Sequence, residues 1–142
     1  MKQNLINKKS IDRKYTKALG RRKTSSARVR LLKGKEDSLV NNKKVFDYFP
    51  GKASKTVIEK PLVETETLDK YYFTAKVTGG GKKGQLDALV HGISRALTGL
   101  DGDKYRKPLK KLGLLTRDSR RRLRRMVGTG GKARRQKQSP KR

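Results

Sequence analysis

Residues 71–97 read YYFTAKVTGGGKKGQLDALVHGISRAL, and two different periodicities meet in this stretch. Its first part alternates, with Tyr71, Phe73, Ala75 and Val77 at every second position, which is typical of a strand with one buried face. After a glycine-rich loop, apolar residues recur at the i, i+3, i+4, i+7 and i+11 spacing of a core helix that ends near Gly99. These residues are Leu86, Leu89, Val90, Ile93 and Leu97.

A second alternating pattern, at residues 26–31, predicts another strand. Ala27 and Val29 lie on one side of it, whereas Arg28 and Arg30 lie on the other. Such a strand packs on a core with one face and presents arginine on the other. A charged edge that only prevents aggregation would intersperse acids with the arginines, and none is present here.

The remaining predicted elements are shorter and lie around these strands and the helix. They are a strand at 15–19 that pairs with 26–31 through a connection at 20–24, a strand at 38–41, helical segments at 45–49 and at 53–59 before Pro61, and a short helix within 105–115. The order of elements predicts an α+β fold. The apolar fraction of 32% suffices for one small core.

Net charge restricts the function most strongly. The 142 residues include 40 Lys or Arg and 12 Asp or Glu, so the formal net charge is +28 at pH 7. Such a chain repels itself until a polyanion supplies the counter-charge, and nucleic acid is the obvious polyanion. An anionic membrane or an acidic protein would also neutralise it, but membrane binding calls for an amphipathic helix with a wide apolar face, which the chain lacks. We expect a nucleic-acid partner and no membrane partner.

The two ends of the chain differ from its middle. Residues 1–14 are polar and contain no apolar run longer than Leu5-Ile6, so we expect neither a secretory signal nor a membrane span, and a cytoplasmic or organelle-made protein is predicted. The predicted division is a flexible N-terminal extension at 1–14, a globular α+β RNA-binding body at 15–104, and a basic C-terminal extension and tail at 105–142.

The tail is the most basic part of the chain. Residues 118–142 carry eleven Lys or Arg and one acid, Asp118. At a rise of roughly 3.3 Å per residue this segment reaches on the order of 80 Å. No aromatic residue follows Tyr105, which argues against a platform for stacking single-stranded bases. We predict recognition of the backbone and shape of folded RNA.

Reactive side chains are too few for an enzyme. There is no Cys, and the single His, His91, lacks partners for a zinc site or a catalytic relay. We interpret His91 as a surface or RNA-facing residue. No catalysis, cofactor or metal is expected.

The glycine loop at 79–84 formally matches the G-x-G-x-x-G pattern between a strand and a helix. A dinucleotide fold also needs a second parallel strand ending in an acid, whereas the chain after Leu97 becomes basic. A phosphate loop needs Lys and Ser/Thr where Gln85 and Leu86 stand. A nucleotide site is therefore not expected.

Two compatible interpretations of the loop stay open. Lys82, Lys83 and the helix N-terminus would form an anion site that suits an RNA phosphate. Alternatively, the glycines only supply the backbone geometry of a tight turn.

Four groups of residues occur in a distinctive order: Gly20-Arg21-Arg22-Lys23-Thr24-Ser25 followed by Ala27-Arg28-Val29, then Gly79-Gly80-Gly81 with Gly84-Gln85, then His91-Gly92-Ile93 with Arg95-Ala96-Leu97, and finally Leu115-Thr116-Arg117-Asp118. Together they resemble protein nine of the small ribosomal subunit, in its bacterial and organellar form, over residues 15–142. The resemblance implies a sheet with helices on one side, a left-handed βαβ crossover and a long extended basic C-terminal tail. The general rule that about 98% of crossovers are right-handed would have favoured the opposite hand.

The resemblance also implies a structural constituent of the small ribosomal subunit. Its body is expected to bind small-subunit ribosomal RNA in the head, beside neighbouring head proteins and without forming a homo-oligomer. Its tail is expected to contact peptidyl-site transfer RNA through Lys141 and Arg142. Family members commonly end in Ser-Lys-Arg, whereas Pro140 here separates Ser139 from the pair and restrains its backbone. The alternative from another class is a free nucleic-acid compactor.

The residues and the resemblance together give a set of candidate ribosomal RNA contacts. They are Arg21, Arg22, Lys23, Thr24, Arg28, Arg30, Lys82, Lys83, His91, Arg95, Arg117, Arg120, Arg121, Arg122, Arg124, Arg125, Lys132, Arg134 and Arg135.

Overall fold

A computed structural model describes residues 15–125 of the chain and shows an α+β fold with a five-stranded mixed sheet. The strands are β1 (Thr16–Arg22), β2 (Ser25–Lys33), β3 (Leu39–Val40), β4 (Lys43–Lys44) and β5 (Tyr71–Thr78). The helices are α1 (Val45–Tyr48), α2 (Lys52–Glu64), α3 (Lys82–Leu100) and α4 (Gly102–Lys111). The predicted fold class is confirmed, while the predicted N-terminal extension and the tail beyond Arg125 lie outside these residues.

The sheet has the strand order β1-β2-β5-β3-β4. β2 pairs antiparallel with both β1 and β5, whereas β3 runs parallel to β5. The chain between the parallel pair passes through β4, α1 and α2. The strand predicted from the alternation of Tyr71, Phe73, Ala75 and Val77 is confirmed, since β5 begins at Tyr71 and ends one residue after Val77.

The core lies between one face of the sheet and α3. α3 contacts β1, β2 and β5, and α2 and α4 pack against α3. Tyr105 and Leu109 of α4 are buried in the same core, so this basic helix packs with the body although its charge resembles that of the tail. The largest fully buried hydrophobic side chains are Phe73, Leu31, Ile58, Leu89, Ile93, Leu97, Leu109, Val29 and Val40. Within residues 15–125, no helix has the length and apolarity needed to cross a bilayer.

A pair of glycines sets the distance between β1 and α3. A Cβ on Gly20 would collide with the backbone of Ala88 and Gly92, and a Cβ on Gly92 would lie 2.7 Å from Cγ2 of Val29. Only glycine at both positions lets the strand and the helix approach this closely. Two of the glycines in the distinctive motifs therefore have a packing role.

The hairpin between β1 and β2 differs from the prediction. A connection at 20–24 was expected, but β1 continues to Arg22, which pairs with Ser25. The turn contains only Lys23 and Thr24, with Lys23 at a φ of 53°. The prediction was wrong because Gly20 and the arginines after it break the apolar alternation without breaking the backbone pairing.

The helices are longer than, or displaced from, their predicted bounds. α2 continues through Pro61, where a helix end was expected, and both Pro61 and Leu62 are buried. Burial of this turn against the core offsets the backbone hydrogen bond that proline cannot donate. α3 begins at Lys82, inside the predicted glycine loop, and α4 lies at 102–111 where a helix within 105–115 was expected.

Candidate nucleic-acid interface

The face of the sheet opposite α3 carries four exposed cations, Lys17, Arg28, Arg30 and Lys76, which we call the open sheet face. Arg28 lies directly opposite Lys76 across β2 and β5, and Lys17 lies opposite Arg30 across β1 and β2. Like charges in directly opposed positions destabilise a sheet. Among the described residues, none of the four forms an ion pair, so a partner would have to supply the anions.

The open sheet face also provides polar groups and space. Arg28, Arg30 and Lys76 line a shallow groove together with Thr74 and Asn42. The Arg30 guanidinium lies 5.2 Å from the ring centroid of Tyr15. The two guanidinium forks, the ammonium and the uncharged donors suit the oxygens of a phosphate backbone.

Arg22 fastens the start of the basic C-terminal segment to the body. Its guanidinium pairs with Asp118 at 3.1 Å and with Asp87 of α3 at 3.6 Å, and its side chain is only 15% exposed. It also donates hydrogen bonds to the carbonyls of Asp118 and Arg120. We call Arg22, Asp87 and Asp118 the Arg22 clamp. Among the candidate RNA contacts, Arg22 thus has its donors engaged within the protein.

Asp118 is the acidic centre of this clamp. It accepts hydrogen bonds from Nε and Nη2 of Arg120, each at 3.1 Å, and from the Arg120 backbone N–H at 2.9 Å. These bonds, the Arg120 charge and the nearby Arg22 charge lower the pKa of Asp118 from 3.8 to about 2. The Asp118 carboxylate therefore stays charged above pH 3.8, and its contribution to stability is lost only as the pH falls toward about 2.

Arg120→Ala is expected to raise the pKa of Asp118 more than Arg22→Ala does. The reason is that the Arg120 side-chain hydrogen bonds are the largest cause of the lowered value. A carboxyl-carbon NMR titration of the full chain measures both shifts. Equal shifts, or a larger one for Arg22→Ala, would contradict this ranking.

His91 joins β1 to the segment after α4. Its Nδ1 accepts a hydrogen bond from the Arg21 backbone N–H at 3.3 Å, and the ring also bonds to the backbone of Leu115. Burial, with help from the charges of Arg95 and Arg117, lowers the pKa of His91 below 6.5. With Nδ1 accepting, the neutral ring carries its proton on Nε2.

Acidification is expected to destabilise the fold through His91. The folded-state pKa lies below the unfolded value of 6.5, so the unfolded chain binds the proton more tightly. The free energy of unfolding should therefore fall as the pH drops through about 6.5 and below. Urea unfolding at a series of pH values measures this, with His91→Gln as the comparison. A slope of the same size in the variant would assign the pH dependence to other groups.

Arg95 and Lys82 also have partners within the protein. Nη1 of Arg95 donates to the carbonyl of Leu19 at 2.6 Å and ties α3 to β1. Nζ of Lys82 lies 3.4 Å from the ring centroid of Tyr48 and donates to the Tyr48 carbonyl at 3.3 Å. Lys83 is exposed at the start of α3.

The glycine loop packs against the β1–β2 hairpin. Gly79 and Gly80 have φ of 77° and 61°, and a Cβ on either would collide with Thr24 or Ser25. The hydroxyl of Ser25 donates to the Gly79 carbonyl at 3.1 Å. The backbone requirement suggested by the glycines is therefore confirmed, and the anion site stays a prediction.

The other candidate cations of the body lie near the Arg22 clamp or beyond it. Arg21, Lys23 and Thr24 are exposed at the hairpin, and Arg21 lines a cleft with His91 and Asp118. The exposed arginines of the C-terminal segment are Arg117, Arg120, Arg121, Arg122, Arg124 and Arg125. The candidates outside the described residues are Lys132, Arg134, Arg135, Lys141 and Arg142.

Sequence reasoning missed two members of the open sheet face, and it missed the pairing of Asp87 and Asp118 with Arg22. Lys17 and Lys76 stand at polar positions of predicted strands, so the alternation that identified Arg28 and Arg30 also contained the signal for them. Asp87 and Asp118 meet Arg22 through contacts distant in sequence, which no local pattern reveals.

Comparison with known protein families agrees with this arrangement. A family model described as ribosomal protein S9/S16 matches residues 20–142, which is most of the chain. The match includes the β1–β2 hairpin, the glycine loop, α3 and the basic segment that follows α4. The chain therefore belongs to the ribosomal protein S9/S16 family, whose members are structural constituents of the ribosome.

Proposed function

We propose that this chain binds small-subunit ribosomal RNA in the head of the subunit and that its tail contacts peptidyl-site transfer RNA. The open sheet face and the exposed arginines of residues 117–125 would bind ribosomal RNA, and Lys141 and Arg142 would bind transfer RNA. The role is architectural, and the setting is a ribosome of the bacterial cytoplasm or an organelle interior.

One observation carries the ribosomal RNA proposal. Lys17, Arg28, Arg30 and Lys76 repel one another across the strands, without an acidic partner among the described residues. A fold tolerates such repulsion when a bound polyanion compensates it. Because the groove is shallow and none of the residues that line it is aromatic, it suits the backbone of folded RNA.

Sedimentation tests the assignment to the subunit. Tagged full-length chain in a cell lysate at physiological salt is expected to travel with small subunits. If it sediments apart from them, the proposed function is wrong. A free nucleic-acid compactor would instead bind duplex DNA and ribosomal RNA about equally in a competition assay, whereas we expect preference for folded ribosomal RNA.

Deletion of Lys141 and Arg142 is expected to leave subunit assembly intact and to weaken retention of peptidyl-site transfer RNA. Each lost charge-assisted contact to a phosphate weakens binding by about tenfold. Filter binding of transfer RNA to purified small subunits measures the effect, and replacement of Gln136 and Gln138 by alanine provides a tail control. Loss of assembly would instead indicate that Lys141 and Arg142 bind ribosomal RNA.

The glycine loop offers a direct test against a nucleotide-binding function. A Cβ at position 81 meets no other atom within 4 Å, so Gly81→Val should leave the loop folded. We expect no saturable binding of nucleotide by the chain, before or after this substitution. Saturable binding that Gly81→Val abolishes would favour the nucleotide function.

A further inference from the structure

The part of the chain between Glu36 and Asp69, which we call the 36–69 lobe, has a charge unlike the rest. It contains seven of the 12 acidic residues and five lysines, so its formal charge is −2 in a chain of +28. It forms β3, β4, α1 and α2. Since a polyanion gains little from contact with such a surface, this lobe is the part of the molecule least suited to RNA.

An apolar groove lies in the 36–69 lobe, against β5. Buried Ile58, Leu62 and Phe73 line it, and Phe46 and Leu68 beside them are each 45% exposed. Its volume of about 210 Å³ is smaller than the roughly 300–1,000 Å³ typical of sites for small organic ligands. The groove therefore suits one or two side chains of a protein better than a cofactor.

Acidic side chains surround the groove. Glu36, Asp37 and Glu59 line it together with a single lysine, Lys44, so its lining carries a net charge of −2. Lys44 pairs with Asp37 at 2.9 Å, so one of the three carboxylates is already matched by a cation of the lobe. Apolar surface ringed by carboxylates attracts a cationic partner and repels nucleic acid.

Phe46 already receives a cation from within the chain. Nζ of Lys55 lies 5.3 Å from the Phe46 ring centroid and 3.9 Å from a carboxylate oxygen of Glu59. The exposed ring face and the carboxylate thus attract the same ammonium group. A lysine or arginine of a partner would meet both attractions at this position.

We propose that this groove binds a segment of a different polypeptide in which an apolar side chain is flanked by lysine or arginine. The apolar side chain covers Phe46 and Leu68, and the flanking cations approach Glu36, Asp37 and Glu59. Burial of an anchor in a pocket gives affinity, while the charged rim gives selectivity. Apart from Asn42, which lines the groove on the open sheet face, no proposed RNA contact lies in the 36–69 lobe, so the proposal goes beyond the RNA-binding function and does not depend on it.

Photocross-linking from position 46 tests this proposal. Cells produce the full chain with benzoylphenylalanine at that position, and adducts are digested and mapped by mass spectrometry. We expect an adduct on an apolar segment of another polypeptide with Lys or Arg within a few positions. Glu59→Lys should lower the adduct yield by about tenfold. Glu64→Lys makes the same charge change at the end of α2, outside the groove lining, and should leave the yield within about twofold.

Several results would overturn the proposal. The adduct could form on RNA, on a second copy of this chain, on residues 1–14 of the same chain or on a segment without flanking cations. The adduct yield could fall equally in both charge-reversal variants, or no adduct could form. The same photoreactive residue at position 76 should yield RNA adducts. Failure at position 76 alone would count against the RNA proposal and leave this one standing.

Discussion

Replacement of Gly20 by alanine is expected to lower the free energy of unfolding by about 3 kcal/mol or more. The added methyl group would occupy the space of the Ala88 carbonyl oxygen and the Gly92 nitrogen. Both atoms belong to the backbone of α3, so no rotamer change can relieve the collision. Either α3 moves away from β1 or β1 distorts, and both responses open the core that Val29 and Ala88 help to fill.

Urea unfolding of the full chain, followed by circular dichroism, measures this loss. Gly99→Ala is the control, because Gly99 also lies in α3 but its Cβ would meet only Thr16 Cγ2 at 3.4 Å. Alanine there should be neutral or stabilise by up to about 1 kcal/mol through helix propensity. A Gly20→Ala protein that unfolds at the wild-type urea concentration would show that the close approach is unnecessary.

Simultaneous replacement of Arg28, Arg30 and Lys76 by alanine is expected to weaken binding to a transcript of the small-subunit head RNA on the order of 100-fold. If each cation neutralises one phosphate, the slope of log affinity against log salt should also fall by about 2 to 3. The fold should tolerate the change or gain stability, because the opposed Arg28–Lys76 repulsion disappears.

The matched control removes three exposed lysines from the 36–69 lobe: Lys43, Lys52 and Lys60. Both triple variants lose the same formal charge, so general attraction to RNA falls equally in the two. A fluorescence-anisotropy titration at several salt concentrations separates them. If the control loses as much affinity as the open-sheet-face variant, RNA contact is not localised on the sheet.

Strands were predicted better than connections because the sheet imposes its period directly on the side chains. In β5, Phe73, Ala75 and Val77 face α3, while Lys76 faces solvent, and the sequence shows this alternation. β1 lacks it after Leu19, since Gly20 is selected by contact with α3 and the following arginines by their partners. The backbone of β1 nevertheless pairs with β2 as far as Arg22, beyond the end of the side-chain alternation.

Pro61 shows the same limit for helices. Proline is a reasonable helix breaker in isolation, but here tertiary packing decides the outcome because Pro61 and Leu62 are buried beside the core. The predicted helix near 53–59 was therefore too short. A rule based on neighbouring residues fails where the helix is stabilised by contacts with residues distant in sequence.

The sequence predicted which residues carry the charge of the candidate site. It did not predict which of them face solvent and which bind partners within the protein. Composition identified arginines and lysines as the important residues. It could not distinguish Arg28, whose charge faces solvent, from Arg22 and Arg95, whose donors are occupied by Asp118 and by the Leu19 carbonyl. That distinction depends on which acids and carbonyls the fold brings within 4 Å, and the chain order alone does not contain it.

The Arg22 clamp gives the C-terminal segment a fixed point of origin. Twenty-four residues follow Asp118, and at roughly 3.3 Å each they span at most about 79 Å from the clamp. Any target of the tip must therefore lie within this distance of the clamp, so the attachment point limits which targets the tip can reach. Opening the clamp would move the attachment point back toward Leu115 and relax this limit, without altering any charge of the tip.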